Sequence, residues 1–351
     1  LDEIFAGVSS LILSNVSQQP WEPRLFSLVE AIDGIDGVDN CGAVSRSTSA
    51  GYPFNLDKHP DGKRAYLGKG EKFDKSAPKA QFLIDRVTNI INEAIKGKRL
   101  THIYMDCLKD ERRPIEKVLI GKTRQFMACP LDYLIAFKMY FGDFIRYICS
   151  NRIKNSIAVG IDPYTEWDSL ANYMLSLKNP VFTAGDYSSY DGRLRASLQL
   201  RCLEIIEMYY YNSSKEDRCV RYVLFQDIVN SFHISEGLVY EFSGGQASGN
   251  PITAVLNSMV NTMMLYAAAR YSLPNELVDT EELFKKSRVS TFGDDNIISY
   301  EKELEGGFGQ RNLTRAIKEL FDMDYTMETK DGRDCNARNI TEINFLKRGF
   351  R

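Results

Sequence analysis

Asp294 and Asp295 stand side by side in the stretch "VSTFGDDNIISY", residues 289–300. Adjacent carboxylates repel unless solvent or a cation separates them. Val289, Thr291 and Phe292 on one side, and Ile297, Ile298 and Tyr300 on the other, favour strands. Gly293 tolerates the positive φ of a tight turn, so both aspartates are expected at a hairpin tip. Taken alone, such a corner is equally an ordinary acidic turn. A second element, "VFTAGDYSSYDG", ends an apolar strand on Asp186 and carries Asp191 five residues on. If folding brings Asp186 to Asp294, oxygens from two strand ends would suit a hard cation. Mg²⁺ takes carboxylates together with substrate phosphates and water. Two such ions about 4 Å apart clamp the attacking and leaving oxygens of phosphoryl transfer. Their charge would also keep the aspartates ionised.

Two further stretches carry polar chemistry. In "SGGQASGNPITAVLNSMVNT", the glycines Gly244, Gly245 and Gly249 lead into an uncharged helix. Such a loop lets backbone approach a phosphate or a base closely. Ser248, Thr253 and Asn257 then offer a track of hydroxyls and an amide suited to a sugar edge. A loop followed by a core helix explains the same residues without a ligand. In "LKDERRPIEKVLIGKTRQF", Lys109, Arg112, Arg113, Lys117, Lys122 and Arg124 fall within sixteen residues. They could hold a triphosphate, although Asp110, Glu111 and Glu116 partly offset them, as on a solvated loop.

The elements that must position these groups read as follows. Residues 41–79 are loop-rich, and 79–96 have helical apolar spacing. A strand, a basic loop and a strand run from Tyr104 to Ala128. Helices are expected at 131–149, 163–177, 195–211, 216–232 and 311–322. A buried strand lies within 179–192, a strand pair surrounds "GLVYEFSGG", and a last hairpin falls near 339–347. There is no internal repeat, and the class is α+β or mixed α/β.

The chain has 351 residues, is 44% hydrophobic and 26% charged, and carries a net charge of −3, the profile of an ordinary globular protein. That charge argues weakly against nucleic acid, but local clusters weigh more. Seven cysteines without a CxxC pair, and only three histidines, speak against structural zinc and for a reducing compartment. Pro251 to Ala269 is uncharged over nearly a spanning length. Thr253, Asn257 and Asn261 draw a polar line along it, which fits a buried helix facing a site better than lipid. The ends, "LDEIFAGVSS" and "FLKRGFR", are expected to be cuts within a longer polypeptide.

Taken together, the motifs resemble those of the RNA-dependent RNA polymerases of picorna-like positive-strand RNA viruses, in order and over nearly the whole chain. "STSAGYP" resembles the template-guiding fingers motif, placing Thr48, Ser49, Gly51, Tyr52 and Pro53, with Gly249, on RNA. The basic stretch resembles the fingers motif where nucleotides come in. "DYSSYD", "SGNPITAVLN" and "FGDD" resemble the first three palm motifs, with Phe292 where the family mostly has Tyr. "METKDG" offers Lys330 for the fourth, and "NFLKRGF" resembles the primer grip.

The resemblance implies a right-hand α+β fold, its antiparallel palm sheet backed by helices and the thumb largely absent. Fingers would span 1–178, and the palm 179–338 with a fingers segment around 195–240. The primer grip and the start of the thumb would span 339–351. It implies RNA-directed RNA synthesis with two Mg²⁺ ions (Mn²⁺ substituting) on Asp186, Asp294 and Asp295, and Lys330 as general acid. Lys109, Arg113, Lys117 and Arg124 would contact the nucleotide's phosphates. Asp191, Ser248, Thr253 and Asn257 would sense the ribose 2′-OH, and Lys347 and Arg348 would hold the primer. Partners would be template, primer, NTPs and other viral replication proteins. The chain would have no membrane span of its own and would work in the host cytoplasm at membrane-associated replication complexes.

Three alternatives remain at this level. A reverse transcriptase shares the aspartates, but the Asp191 and Asn257 pair favours ribonucleotides. A phosphohydrolase needs a placed general base, for which no candidate stands out. A fragment without its thumb could bind RNA and stay idle.

Overall fold

Four strands build the sheet that carries the acidic hairpin, in the order Ser287–Phe292, Asp295–Glu301, Pro180–Tyr187, Tyr325–Met327, and every neighbour is antiparallel. The computed structural model describes residues 2–274, 278–329 and 335–351. The chain divides into two units. One comprises Leu1–Trp21, Tyr147–Arg193 and Ala254–Arg351, and the other Glu22–Arg146 and Leu194–Thr253.

In the first unit both faces of the sheet are covered, which is why its strands read as nearly continuous apolar runs. On one face Phe182, Ala184 and Ile297 form a core with Leu170, Met174, Phe345 and Phe350. Each large side chain buried there contributes roughly 1.5–3 kcal/mol. On the other, Tyr300 stacks on Phe308 at 5.6 Å, and Tyr266 of the Thr253–Ser272 helix meets the same ring edge-on at 5.8 Å. From Val255 to Ala269 every residue of that helix is buried. Its polar residues therefore face protein. Among the described residues, no helix is long and apolar enough to cross a membrane.

The units do not divide at 178. The expected helix at 163–177 is the shorter Trp167–Met174, and it belongs with the sheet because Leu170 and Met174 complete its core. Several elements were not anticipated from the sequence, among them the following. The Asp2–Leu13 helix meets the Thr280–Lys285 helix, with Thr280 donating to Glu3 at 3.0 Å. The fourth strand, Tyr325–Met327, is too short to show a period of two. The last hairpin lies further on than expected, pairing Asn344–Phe345 with Arg348–Gly349. Leu346 and Lys347 take φ of 51° and 61° to turn it. Upstream, the Glu342 carboxylate accepts from the Asn339 backbone at 2.8 Å, and Ile340–Glu342 winds into a helical turn instead.

The second unit holds a mixed sheet in the order Gln125–Ala128, Ile103–Leu108, Asn230–Ser235, Leu238–Ser243, whose middle pair is parallel. Its last hairpin turns on Glu236 and Gly237, with φ of 49° and 84°, the sign a two-residue turn needs to match strand twist. The helices Ala80–Ile95, Ala196–Tyr209 and Lys215–Val229 fall where their periodicity predicts. The basic segment is not all loop: Ile115–Leu119 forms a short helix within it.

Candidate active site

The register of the first unit's sheet brings the two acidic elements together. Gly185 pairs with Asn296, and Phe292 pairs with Asp295. Continuing the first ladder by one residue sets Asp186 beside Asp295. The hairpin loop is only Gly293 and Asp294, and Gly293 takes φ of 63°. The tip therefore holds one aspartate and not the expected two. Asp295 is the first residue of its strand, because its backbone pairs with Phe292.

The Asp294 carboxyl is pushed up to about 6, first by burial and then by the charges of Asp295, Asp186 and Asp191, against a lowering hydrogen bond from its own backbone N–H. Three other carboxylates thus lie within electrostatic reach of Asp294. Among the described residues, no group of three or more His, Cys, Asp or Glu side chains is placed to hold a metal ion by itself. Mg²⁺ asks less of the protein than a full cage, because it binds through one or two carboxylates and completes its shell with substrate phosphates and water. Mutual repulsion among the aspartates is what such a cation relieves.

Asp191 lies in the Tyr190–Arg193 helical turn and accepts from the Asn257 Nδ2 at 2.7 Å. Tyr190 donates to the Asn257 carbonyl at 2.9 Å, tying the turn to the long helix. The Asn257 Oδ1 is buried with no hydrogen-bond partner among the described residues. One turn further along the helix, the Ser258 hydroxyl accepts from the Gly293 backbone N–H at 2.8 Å. Asn261 Nδ2 donates to the Gly293 and Asp294 carbonyls, both at 3.0 Å. Tyr187, next to Asp186, donates to the Asn261 Oδ1 at 3.1 Å. Tyr187 and Asn261 had no assigned role in the sequence reading. The polar line along the helix was the signal that pointed to Asn261.

The other expected contacts lie in the second unit. Thr253, expected to join the sugar-reading track, spends its hydroxyl at the start of the helix. It donates to the Ala247 and Asn250 carbonyls at 2.8 and 2.9 Å and accepts from Gln246 at 3.2 Å. Ser248 sits 3.4 Å from the Met127 sulfur. Gly249 admits no side chain, because a Cβ would run into the Met127 carbonyl, and at Gly51 (φ 71°) it would meet that of Cys129. Ser49 accepts from the Gly51 N–H at 3.1 Å, and the Tyr52–Pro53 bond is cis. Glu111 pairs with Arg124 through both carboxylate oxygens and lies 3.5 Å from Arg113, so one acid already claims two of the arginines expected on phosphate. Lys117 is exposed and Lys109 half-buried.

The same unit contains a cavity of about 370 Å³ whose lining includes Phe26, Val44, Thr48, Lys63, Lys138 and Pro251. Lys63 is 6% exposed and donates to Thr48 at 2.7 Å, and burial pushes it down to about 8. Lys138 donates to the Gly42 carbonyl at 3.1 Å, and burial lowers it too. The nearby acids are taken: Glu30 by Arg24 at 2.6 Å, and Asp33 by Arg46 at 3.1 Å. Neither lysine was singled out from the sequence. A single cation in the apolar run "LIAFKMYFG" could have marked Lys138. Lys63 sits in a patternless loop.

Back in the first unit, Lys347 is exposed at the last hairpin's turn, and the Arg348 guanidinium lies 4.7 Å over the Tyr164 ring. Lys330 lies outside the described residues.

A family model described as viral RNA-dependent RNA polymerase matches residues 9–351. The replicase polyprotein of Drosophila C virus (strain EB) is 32% identical over 93% of this chain and 19% of its own length. That of acute bee paralysis virus (strain Rothamsted) is 31% identical over 100% of this chain and 18% of its own length. The chain therefore spans about a fifth of these curated relatives. Among solved structures, a sicinivirus 3Dpol RNA-dependent RNA polymerase superposes with a TM-score of 0.78 at 24% identity, covering 99% of this chain and 67% of that one. The likeness supports the right-hand α+β fold expected from the motifs.

Proposed function

Because this chain belongs to the viral RNA-dependent RNA polymerase family, we propose that it catalyses template-directed transfer of nucleotides from NTPs to an RNA 3′-OH. The observation that carries this reading is the convergence of Asp186, Asp191, Asp294 and Asp295, which together with burial holds the Asp294 carboxyl at about 6. The family generally uses divalent metal ions. Asp186, Asp294 and Asp295 would hold two Mg²⁺, or Mn²⁺ in their place, which when bound supply Lewis-acid stabilisation of developing charge. Asp191, fixed by the Asn257 amide, would accept from the ribose 2′-OH, a bond a deoxynucleotide would not make.

Lys109, Lys117, Arg113 and Arg124 would face the triphosphate, the arginines exchanging Glu111 for phosphate oxygens. Thr48 to Pro53, Ser248 and Gly249 belong to the unit that holds Lys63 and Lys138, whose neighbouring acids Glu30 and Asp33 are paired with arginines, a setting that suits an RNA backbone. Lys347 and Arg348 would hold the primer. The assignment of Lys330 as general acid to the leaving pyrophosphate rests on the motif alone. Template, primer, NTPs and other viral replication proteins are the partners of this reading. Host cytoplasm, at membrane-associated replication complexes, is its location.

The test is extension of an RNA primer on an RNA template with Mg²⁺ or Mn²⁺, using this chain and its Asp294→Asn variant. Extension by the parent, lost in a variant that folds and binds RNA as well as the parent, is expected. Equal rates in the two would overturn the metal-site assignment. Salt-sensitive RNA binding without turnover in the parent would favour an idle RNA-binding fragment.

A further inference from the structure

Asn261 is fully buried and makes three hydrogen bonds that reach both acidic elements. Its Nδ2 uses both hydrogens on the Gly293 and Asp294 carbonyls, at 3.0 Å each. Its Oδ1 accepts from Tyr187, the residue after Asp186, at 3.1 Å. Neighbours complete the clamp on the loop. Ser258 takes the Gly293 N–H at 2.8 Å, and the Asn296 side chain donates to the Asp294 carbonyl at 3.2 Å and the Gly185 carbonyl at 3.3 Å. Tyr325 in turn donates to Asn296 at 2.8 Å. The hairpin has only two loop residues, and one of them is Asp294. Its backbone therefore decides where the carboxylate stands.

We propose that Asn261 is a positioning residue that sets the spacing between the Asp186 and Asp294 carboxylates, by bonding Tyr187 on one side and both loop carbonyls on the other. It touches neither substrate nor cation. Removing its amide takes the Gly293 carbonyl's donor and one of the two on the Asp294 carbonyl, and lets the loop shift relative to the Asp186 strand. Tyr187→Phe severs the same link while keeping the ring, which packs 4.9 Å from Tyr190 and 4.8 Å from Tyr325. In Tyr187→Phe the loop carbonyls keep the Asn261 amide, so the effect should fall on spacing more than on folding.

This inference rests on the polymerase reading only for the use to which the carboxylates are put, so its test is made without RNA. Mn²⁺ affinity of the parent chain, Asn261→Ala, Tyr187→Phe and the double variant is read from the free-Mn²⁺ EPR signal, with thermal unfolding measured alongside. Losing an outer partner of a metal ligand costs on the order of tenfold in affinity. That loss is expected for Asn261→Ala, with a smaller one for Tyr187→Phe. The double variant should match Asn261→Ala, because both act through one chain of bonds. Unchanged affinity in Tyr187→Phe and Asn261→Ala, with lowered unfolding temperature, would show a purely structural role and overturn the inference. So would a parent that binds no Mn²⁺. Should Asn261→Ala not fold, Tyr187→Phe alone decides. Protein that binds Mn²⁺ with this pattern, yet extends no primer, would sink the polymerase reading and leave this one standing.

Discussion

At the scale of single residues, the pair Asp191 and Asn257 makes the sharpest functional statement. A 2.7 Å bond from the amide orients the carboxylate, and the other amide atom is buried with no hydrogen-bond partner among the described residues. An acceptor held this way is oriented to meet a ligand that donates to it. Asn257→Ala frees Asp191 to turn toward water. It should erode the preference for rNTPs over dNTPs by about tenfold, the size of one hydrogen bond to a charged group. The ratio of kcat/KM for matched rNTP and dNTP measures this, and a ratio equal to the parent's would remove Asn257 from the role. The types of these residues were legible in the sequence. That Thr253, on the same helical line, spends its hydroxyl on two carbonyls of its own loop was not.

At the scale of elements, the Pro180–Tyr187 strand must approach its neighbours closely to present Asp186. Gly185 has no room for a side chain, since a Cβ would run into the Tyr325 ring. Gly185→Ala should force that ring, and the short strand carrying it, away from the sheet. Overpacking of this kind costs about 1–3 kcal/mol, visible as a lower denaturant midpoint, and extension should fall with it because Asp186 is the next residue. Gly192→Ala, whose Cβ would meet nothing, should stay within about 0.5 kcal/mol of the parent. Equal midpoints for Gly185→Ala and the parent would show that the ring moves freely, and that the close approach has no structural weight.

At the scale of the whole molecule, a net charge of −3 hides local imbalance. Arg24, Arg46, Arg113 and Arg124 are matched by acids, whereas Lys63 and Lys138 line a cavity whose nearby acids, Glu30 and Asp33, are already paired with arginines. Burial holds Lys63 at about 8 against an ordinary 10.5. Between those values the unfolded chain binds the proton more tightly than the folded one, so this lysine makes stability rise with pH across the window. Below 8 its full penalty applies. Lys63→Met should therefore be more stable than the parent at pH 7, by on the order of 1–3 kcal/mol. The gap should close as pH rises from about 8 toward 10.5. The same variant should bind single-stranded RNA more weakly and with a shallower salt dependence. A parent-like stability at pH 7 together with a parent-like salt slope would contradict both halves.

Local order along the chain determined a good deal of this protein. Periods of two and of 3.6 residues placed the central strands and most long helices, and motif spacing named all four aspartates, because both signals are written in neighbouring residues. Elements of two or three residues, such as Tyr325–Met327, escaped because they are shorter than any period. Tertiary structure alone decided that Asp186 lies beside Asp295, more than a hundred residues later, and that only Asp294 occupies the hairpin tip. It also decided that Glu111 claims two arginines and that Lys63 and Lys138 share one cavity. Each outcome depends on which side chain reaches a given polar group first. That competition is settled by register and burial, which no run of adjacent residues records.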